Sequence, residues 1–500
     1  MNTLPRIHLS IVQPPNYVHS LGFIDQARYF RHQFRRMGAE VTLAQNRLRH
    51  DAVNFIFGAH LGFDAELRQR YSCIFVNLEQ LGQGGARVTP EYMQLLASSA
   101  VVDYDADNIP AYASHPEEVL VVPFLHAPYL KPAQPIPLEE RPIDLLFIGS
   151  MNDRRRQMIQ RIESTGVQVS MFDGALYGPE RDAYIRQAKA VFNAHFYESS
   201  RFEQARVSQC LSLGTPVISE RREQTRPHPA FEDSVLWLDT TRLESYFASH
   251  FGTPGFFAQA RAALVDFERA DPIAAYADVL AFAAGFGKVH QERRPQGLWQ
   301  PQQLHLGGGK AYQPGWLNID VSESAVPDLL LDLAQPVEWP LQFSTPLAGD
   351  IELQPDSVDT IYTTQALQSA GDLARLMDNC LTLLRTGGRL IAEVPHEQAA
   401  AAWQSPRHVR AFNEASWNVY TEGFAQLGWF EHRFEMTHFE YLDGQRQTCE
   451  RAQATRMRLA LTKVDTTPQE RTQARLQFAD YGVPDDEVLP SVDEAGSLAA

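Results

Sequence analysis

A glycine-rich strand end at residues 304–309, with the sequence LHLGGG, constrains the fold of this chain more than any other feature. Gly307 and Gly309 let backbone amides approach a ligand because no side chain stands in the way. Eleven residues after Gly309, Asp320 closes the next apolar run, LNID. A carboxylate at that place accepts hydrogen bonds from ribose hydroxyls. This spacing predicts a nucleotide-type cofactor fold in the second half of the chain.

The residues that follow continue to alternate between strand and helix patterns. Asp332 comes after an apolar LLL run, DSVDTIY is a strand pattern, and ALQSAGDLARLMDNCLTLL is a helix pattern. An RTGG turn then precedes the apolar strand RLIAEVP. This order predicts a doubly wound α/β domain.

Over residues 304–464 the chain resembles the class I S-adenosylmethionine-dependent methyltransferases. The resemblance rests on GWLNID at 315–320, on the LLRTGG turn, and on PRHVRAFNEASW at 406–417, which is similar to a late segment of that family. It implies S-adenosylmethionine as the cofactor and methyl transfer as the reaction. The cofactor-binding residues that it implies, at the glycine turn, the ribose and the adenine, are Gly307, Gly309, Asp320, and Asp332 or Leu333.

The chain departs from that family after the predicted fourth strand. Relatives carry a His-x-Leu-Glu-His element there, whereas this chain has QALQS at 365–369, without either histidine or the acid. These positions line the cofactor and substrate mouth in the family. Two interpretations therefore stay open: an active methyltransferase, and a degenerate domain kept for packing or acceptor capture.

Length and composition limit the classes of protein. A chain of 500 residues exceeds what one hydrophobic core usually organises, so about three domains are expected. With 44% apolar and 21% charged residues, the composition is that of a globular protein. A formal charge of −17 argues against a nucleic-acid groove as the main partner site, because phosphate binding needs a concentrated basic face.

The sequence contains no run of about 18 apolar residues, and its start, MNTLPRIHLSIVQPP, lacks the pattern of a secretory signal. We therefore expect a cytoplasmic protein with at most peripheral membrane association. The cysteines are scattered without CxxC or Cys/His spacing, so neither a zinc site nor a disulfide framework is predicted. No other motif requires a metal.

The first half also alternates between strands and helices. RIHLSIVQ, AVNFIFGAH and YSCIFVNLEQ are strand patterns, and the proline-rich connector KPAQPIPLEERP leads to a second series, with IDLLFIGS, KAVFNAHF and TPVISE as its strands. Val-, Ile- and Phe-rich strands separated by helices imply parallel sheets. Two such sheets create a cleft between their carboxyl ends, where ligands bind.

Residues 144–220 resemble the GT-B glycosyltransferases, specifically the bacterial family related to the spore-maturation protein CgeB, and the resemblance is thinner over the first 130 residues. It is carried by FIGSMNDRRR and by LYGPERDAYIRQAKAVFNAHFYESSRFEQARVSQCLSLGTPVISE. It implies a nucleoside-diphosphate sugar donor and a hydroxyl acceptor. In enzymes of this type the donor's diphosphate lies at a helix N-terminus. In the sequence, Ser199, Ser200 and Arg201 open such a helix.

The candidate donor-binding residues follow the second series of strands. Arginines there would neutralise the charge that grows on the leaving diphosphate. Glu203 and Arg206 share a helix face, as donor ligands or as a simple surface ion pair. His195 is either a cleft residue or a satisfied structural histidine. The full set is Gly149, Ser150, Asn152, Arg154, Arg155, His195, Arg201, Glu203 and Arg206.

The acceptor side needs a base only if transfer inverts the anomeric carbon. The candidates are His60, at the end of NFIFGAH, Asp25, at the start of the first helix, and Glu79, in NLEQL. Each also has a structural interpretation: a loop residue, a helix N-terminal charge, and a partner of the loop at 83–85. The sequence leaves the base and the stereochemistry open.

We therefore expect an α/β chain with two Rossmann-like domains in a GT-B arrangement, followed by a third, doubly wound methyltransferase-like domain. The expected boundaries are 1–135 for the acceptor domain, 136–285 for the donor domain, 286–303 for a linker, 304–465 for the methyltransferase-like domain, and 466–500 for a mobile acidic tail.

The function that this organisation predicts is bifunctional. The first half transfers a sugar from a nucleotide sugar to a glycan or protein acceptor, and the second half methylates the glycan; the resemblance implies bacterial surface-polysaccharide or flagellin glycosylation as the setting. Two alternatives remain. One is a glycosyltransferase whose last domain binds the acceptor without catalysis, and the other is a non-enzymatic interaction protein.

Overall fold

The computed structural model describes residues 4–172 and 175–477. The chain divides into two compact units, Met1–Gln296 and Gly297–Ala500. In both units parallel strands alternate with helices along the chain. The predicted α/β fold class is confirmed, with two parallel Rossmann-like sheets preceding a third sheet.

The first sheet of the first unit is entirely parallel. Its strands are β1 (Ile7–Ile11), β2 (Val41–Gln45), β3 (Val53–Phe57), β4 (Cys73–Asn77), β5 (Ala100–Asp103) and β6 (Leu120–Val121). They lie in the order β2-β1-β3-β4-β5-β6. In β3, Phe55 and Phe57 enter one apolar core and Ile56 enters the core on the opposite face. Burial on both faces explains why this strand is apolar throughout.

The second sheet of the same unit is also parallel. Its strands are β7 (Ile143–Phe147), β8 (Val169–Ser170), β9 (Ala188–Asn193), β10 (Val217–Glu220) and β11 (Leu236–Leu238). They lie in the order β11-β10-β9-β7-β8. The carboxyl ends of β7, β9 and β10 are therefore neighbours at one edge of this sheet.

Helices cover both sheets. They are α1 (Phe23–Arg36), α2 (Pro90–Ala97), α3 (Asp153–Glu163), α4 (Gly178–Gln187), α5 (Gln204–Ser212), α6 (Leu243–Ser249), α7 (Pro254–Phe267) and α8 (Ile273–Arg293).

Helix α8 follows the second sheet in sequence but packs on the first. Tyr276, Val279 and Leu280 lie in the same apolar core as Phe30 and Phe55. Its last two turns, residues 286–293, fall where the sequence pattern indicated the start of a linker. The Gly, Pro and Gln content of residues 282–303 favoured the linker interpretation, and burial against the first sheet stabilises the helix instead.

The second unit contains an eight-stranded sheet. Its strands are β12 (Gln303–Leu306), β13 (Leu317–Asp320), β14 (Leu329–Leu330), β17 (Val358–Thr363), β18 (Leu384–Pro395), β19 (His432–Leu442), β20 (Thr448–Cys449) and β21 (Arg456–Asp465). A separate hairpin of β15 (Leu341–Thr345) and β16 (Gly349–Leu353) lies between β14 and β17 in the sequence. Its helices are α9 (Ala366–Ser369), α10 (Leu373–Leu383), α11 (Ala401–Gln404), α12 (Asn418–Thr421) and α13 (Pro468–Gln477).

The strand order in this sheet is β14-β13-β12-β17-β18-β21-β19-β20. The chain builds outward from β12 on one side through β13 and β14, and then returns to pair β17 with the other side of β12. The order thus reverses between β12 and β17. In open α/β sheets ligands bind outside the carboxyl ends of the strands at such a reversal.

The end of the described chain is ordered. Helix α13 lies in the stretch expected to be a mobile tail, and Ala474 in this helix is 2% exposed and belongs to the core of the unit. Residues 478–500 of the predicted tail lie outside the described residues. Across the part of the chain that the structure describes, every helix is too short or too polar to span a membrane.

Two glycines of helix α8 provide a matched test of its packing on the first sheet. A Cβ at Gly285 meets nothing within 4 Å, whereas a Cβ at Gly287 would lie 2.7 Å from Cγ2 of Val53. Gly285→Ala should stabilise the protein by up to about 1 kcal/mol through helix propensity. Gly287→Ala should destabilise it by about 1–3 kcal/mol, because β-branched Val53 has little freedom to move. Urea unfolding of both variants measures the difference, and equal effects would contradict this packing.

Candidate functional site

The candidate donor residues of the first unit gather at the carboxyl ends of β7, β9 and β10. Arg154 and Arg155 lie in the first turn of α3, Glu203 precedes α5, Arg206 lies in its first turn, and Glu220 ends β10. We call these five residues the basic cluster. Asn152 caps α3, since its Oδ1 accepts the backbone N–H of Arg155 at 2.8 Å. Residues more than fifty positions apart in sequence therefore meet at one sheet edge.

Glu203 is the buried carboxylate of the basic cluster, with 11% of its side chain exposed. Its oxygens lie 3.3 Å from Nη2 of Arg155, 3.3 Å from Nδ1 of His195 and 3.2 Å from Nδ2 of Asn193. Burial raises the pKa of Glu203, but the hydrogen bond with His195 and the charges of Arg206 and Arg155 outweigh it and lower the pKa to about 2. Glu203 is therefore a fixed negative charge.

Arg155 is held rigidly beneath the surface. Its guanidinium donates to the carbonyls of Ser150 at 2.7 Å and Ala194 at 3.0 Å, and lies over the ring of Phe196 at 5.1 Å. Burial and the nearby Arg206 lower the pKa of Arg155 to about 10. This arginine supports the strand ends and retains its charge at neutral pH.

Gly149 allows the arginines to approach the end of β7. Its φ is +137°, and a Cβ there would lie 3.1 Å from Nη1 of Arg155 and 3.4 Å from Cζ of Arg206. Arg206 itself donates to Oδ1 of Asn193 at 3.2 Å. A residue larger than glycine would separate the guanidinium groups from the strand-end backbone.

A second carboxylate, Glu220, is fully buried and binds two arginines, Arg154 and Arg222. Its other oxygen accepts the backbone N–H of His195 at 3.1 Å. In this part of the described chain, four guanidinium groups, those of Arg154, Arg155, Arg206 and Arg222, thus face two carboxylates. The excess of two positive charges suits an anion such as a diphosphate.

The helix predicted to begin at Ser199 starts later. Ser200 has a φ of +52°, in the left-handed region, and helix α5 begins at Gln204. Arg201 then turns toward the first sheet, where its Nη2 donates to the carbonyl of Asp107 at 2.8 Å. The expectation that Ser199, Ser200 and Arg201 form a helix N-terminus is therefore wrong, because the left-handed Ser200 interrupts the helix.

The three candidate bases are in two places. His60 follows β3 and Glu79 follows β4, and Nε2 of His60 lies 3.5 Å from Oε1 of Glu79. Asp25, in the first turn of α1, instead pairs at 2.9 Å with Arg181 of helix α4. Burial raises the pKa of Asp25 and Arg181 lowers it, with a net rise.

Sequence reasoning missed several polar residues of this region. Asn193 and Glu220 each end a buried strand, and a polar residue at the end of an apolar run was the available signal. Thr225, whose Oγ1 lies 2.9 Å from Nε2 of His195, lies on a loop with no motif. His195 is buried, with 1% of its surface exposed.

In the second unit, the glycine loop at 307–309 follows β12 at the reversal of strand order. A Cβ at Gly307 would lie 3.0 Å from the backbone N of Ala366, and a Cβ at Gly308 would lie 2.2 Å from the ring of His305. At Gly309, with φ +54°, the nearest atom to a Cβ is Oε1 of Gln365 at 4.0 Å. The loop is therefore packed tightly against its neighbours at Gly307 and Gly308, whereas the space around the Cβ position of Gly309 is open.

Asp320 ties this loop to the next strand. One carboxylate oxygen accepts the backbone N–H of Gly309 at 3.0 Å, and the other accepts that of Ser322 at 2.9 Å. Each oxygen keeps a second lone pair for another donor. The next residue, Val321, exposes 67% of its surface beside the carboxylate.

The two residues expected near an adenine lie after β14. Oδ1 of Asp332 accepts the backbone N–H of Ala334 at 2.9 Å, so this carboxylate closes a turn. Leu333 is 3% exposed and belongs to the apolar core, which turns its side chain away from a ligand surface. Among the described residues, no three His, Cys, Asp or Glu side chains are grouped as metal ligands would be.

No protein-family model matches the chain. Two uncharacterized proteins of Acanthamoeba polyphaga mimivirus are similar to parts of it. The first is 27% identical over 164 residues, 31% of this chain and 50% of that protein. The second is 32% identical over 78 residues, 15% of this chain and 9% of that protein. The chain thus spans half the length of the first relative and less than a tenth of the second.

Several of the solved structures that match about a third of the chain are described as methyltransferases. One is a putative methyltransferase from Haloferax volcanii in complex with its Trm112 activator, at 14% identity, covering 36% of this chain and 89% of that chain with a TM-score of 0.24. Another is a methyltransferase from Mesorhizobium loti, at 16% identity, 34% and 93% coverage and a TM-score of 0.23.

The ionisation of Glu203 predicts a pH-dependent contribution to stability. Because its folded pKa is lowered from 4.5 to about 2, the contribution is complete above pH 4.5 and is lost as the pH falls toward 2. Glu203→Gln should cost roughly 3 kcal/mol at pH 6, where it leaves buried arginines unpaired, and roughly 2 kcal/mol less at pH 3. Denaturant unfolding at both pH values measures this, with exposed Glu198→Gln as the control. A loss of stability that is the same at both pH values would contradict the lowered pKa of Glu203.

Proposed function

We propose that the second unit binds S-adenosylmethionine and catalyses methyl transfer. The observation that carries the proposal is the hydrogen bond between Asp320 and the backbone N–H of Gly309, formed where the strand order reverses. It brings a carboxylate and a loop with open space above Gly309 to the edge where doubly wound sheets bind nucleotides.

The residues present fit an adenosine group. The free lone pairs of Asp320 would accept the two ribose hydroxyls, and the exposed apolar face of Val321 would contact the base. Lys310 and Gln365 border the open side of the loop. When bound, S-adenosylmethionine supplies a methyl group carried on a positively charged sulfur.

The residues that follow strand β17 limit the acid–base chemistry that the chain itself performs at this site. Where strand β17 ends, the sequence continues as Thr364, Gln365 and Ala366, none of which ionises near neutral pH. These residues would orient an acceptor by hydrogen bonds and leave proton removal to the acceptor or to water. The same absence of an acid or base is what a domain that binds an acceptor without catalysis would have.

Calorimetric titration of the full chain with S-adenosylhomocysteine tests cofactor binding. Micromolar binding is expected, and Asp320→Ala should weaken it at least about tenfold, because hydrogen bonds to a charged group are worth about 1.5–3 kcal/mol. Glu323→Ala, an exposed acid three residues away, is the matched control. If the wild-type chain binds no S-adenosylhomocysteine, methyl transfer is excluded and the acceptor-binding alternative replaces it.

A second function is favoured by the basic cluster of the first unit. We propose that it binds the diphosphate of a nucleotide sugar, so that this unit transfers a sugar to a hydroxyl of a glycan or protein. Support comes from the three guanidinium groups of this cluster and that of neighbouring Arg222, which face two carboxylates at the carboxyl edge of a parallel sheet. Arg206 and Arg154 would meet the phosphates, while Arg155 and Glu203 hold the arrangement.

With both functions, one chain would glycosylate an acceptor and methylate the glycan. Tethering the two active units raises the effective concentration of the intermediate at the second site. Bacterial surface glycans or flagellin remain the proposed setting.

Diphosphate binding is testable on neighbouring arginines. The wild-type chain should bind at least one of UDP, GDP and ADP. Arg206→Ala should weaken the binding of that nucleotide by roughly 10- to 100-fold. Arg156→Ala is the control, since this exposed arginine of helix α3 pairs with Asp153 alone among the described residues. Equal affinity of the two variants for the bound nucleotide would contradict the proposed site.

A further inference from the structure

The carboxyl edges of the two sheets in the first unit meet at the residues that link β9 to α5. The backbone N–H of Ser199 donates to the carbonyl of Gly84 at 2.9 Å, and its hydroxyl donates to Oε1 of Gln80 at 3.0 Å. A Cβ at Gly84 would lie 3.1 Å from the backbone N of Ser199, so the two loops are in close contact. Residues on either side of Ser199 are therefore held between the sheets.

On the first-sheet side of this contact lies a histidine–carboxylate pair. Nε2 of His60 is 3.5 Å from Oε1 of Glu79, and the two side chains are 21% and 24% exposed. The rings of Phe23 and Tyr92 flank the imidazole edge-on, at 5.8 and 5.5 Å between centroids. A carboxylate at Nε2 favours the tautomer with its hydrogen there, which leaves the lone pair on Nδ1 to accept a proton.

On the second-sheet side lies Arg155, and Tyr197 belongs to the segment that runs from Phe196, which this guanidinium covers, to Ser199, at the contact with the first sheet. The ring of Tyr197 packs on Phe196 at 4.9 Å, and the guanidinium of Arg155 lies over the same Phe196 ring at 5.1 Å. Burial raises the pKa of the Tyr197 phenol, the charge of Glu79 adds to the rise, and the charge of Arg155 opposes it. Because its pKa is raised, the phenol stays protonated at neutral pH.

We propose that Tyr197 is a catalytic residue of the sugar-transfer reaction, and that its phenol donates a hydrogen bond to the leaving diphosphate while His60 binds the acceptor hydroxyl. The inference rests on the proposed nucleotide-sugar site. It goes beyond that site because it places a hydroxyl acceptor at the His60–Glu79 pair.

The reaction balances with these groups. The acceptor oxygen forms a bond to the anomeric carbon and gives its proton to Nδ1 of His60. The bond from that carbon to the diphosphate oxygen breaks, and its electron pair leaves with the diphosphate. The hydrogen bond from Tyr197 and the positive charge of Arg206 stabilise the charge that develops there. Glu79 acts through the imidazole as a positioning residue.

The test uses the full chain with UDP-glucose, GDP-mannose and dTDP-rhamnose as probes, and water as the acceptor. For the donor that binds, Tyr197→Phe should lower kcat for hydrolysis about 10- to 100-fold and His60→Gln about 10²- to 10⁴-fold. The Kd for the donor should change less than about twofold in both. Glu79→Gln, which retains an acceptor for Nε2–H, should keep more activity than Glu79→Ala.

Tyr184→Phe, an exposed tyrosine of α4, is the control and should hydrolyse the donor at the wild-type rate. If a donor binds but Tyr197→Phe matches the wild type, or the wild-type chain turns nothing over, the role of Tyr197 is overturned and the donor site stands. If none of the three donors binds, the proposed sugar transfer falls and this inference falls with it.

Discussion

The ionised carboxylate of Glu203 holds together the polar edge of the second sheet. It is buried among Arg155 of helix α3 and Asn193 and His195 at the end of strand β9. Without a negative charge at this point, Arg155 and Arg206 would repel each other next to the backbone of Gly149. The positive surface offered to an anion thus depends on one buried negative group beneath it.

In the second unit, backbone amides rather than arginines donate to the carboxylate at the sheet edge. Asp320 accepts two amides, from Gly309 and Ser322, and so links the glycine loop to the following strand. The stack of Gly308 on the His305 ring leaves no room below the loop for a side chain. Tight packing beneath and open space above are what a loop that cradles a ligand requires. In both units, parallel strands bring to one edge residues that are distant in sequence.

Strand ends were readable from the sequence because glycine and polar residues interrupt apolar runs there. Gly307, Gly309 and Asp320 were predicted together, as were Gly149, Arg154, Arg155, Glu203 and Arg206, and the structure brings each set to one edge. Their roles as ligands stay predictions. His60 and Glu79 were separate candidates in the sequence, and their proximity depends on the pairing of β3 with β4.

What the sequence did not reveal depends on tertiary contacts. The left-handed Ser200 delays helix α5 and turns Arg201 to the first sheet, although SSRFEQAR has the pattern of a continuous helix. Helix α8 extends through two glycines because Tyr276 and Val279 bury against the first sheet. Tyr197 was not a candidate in the sequence, and only the contact of Ser199 with Gly84 brings its segment to the first sheet.

We propose separate nucleotide-type sites in the two units, each at the carboxyl edge of a sheet. Hydrogen exchange of the full chain, followed by mass spectrometry with S-adenosylhomocysteine and then with the nucleotide sugar that binds, distinguishes the two sites. S-adenosylhomocysteine should slow exchange at 304–322 and 363–369 and leave 143–225 unchanged, whereas the nucleotide sugar should slow exchange at 147–155 and 193–206 and leave the second unit unchanged. If both ligands slow exchange in the same unit, or if neither slows it at these edges, the two proposed sites are wrong.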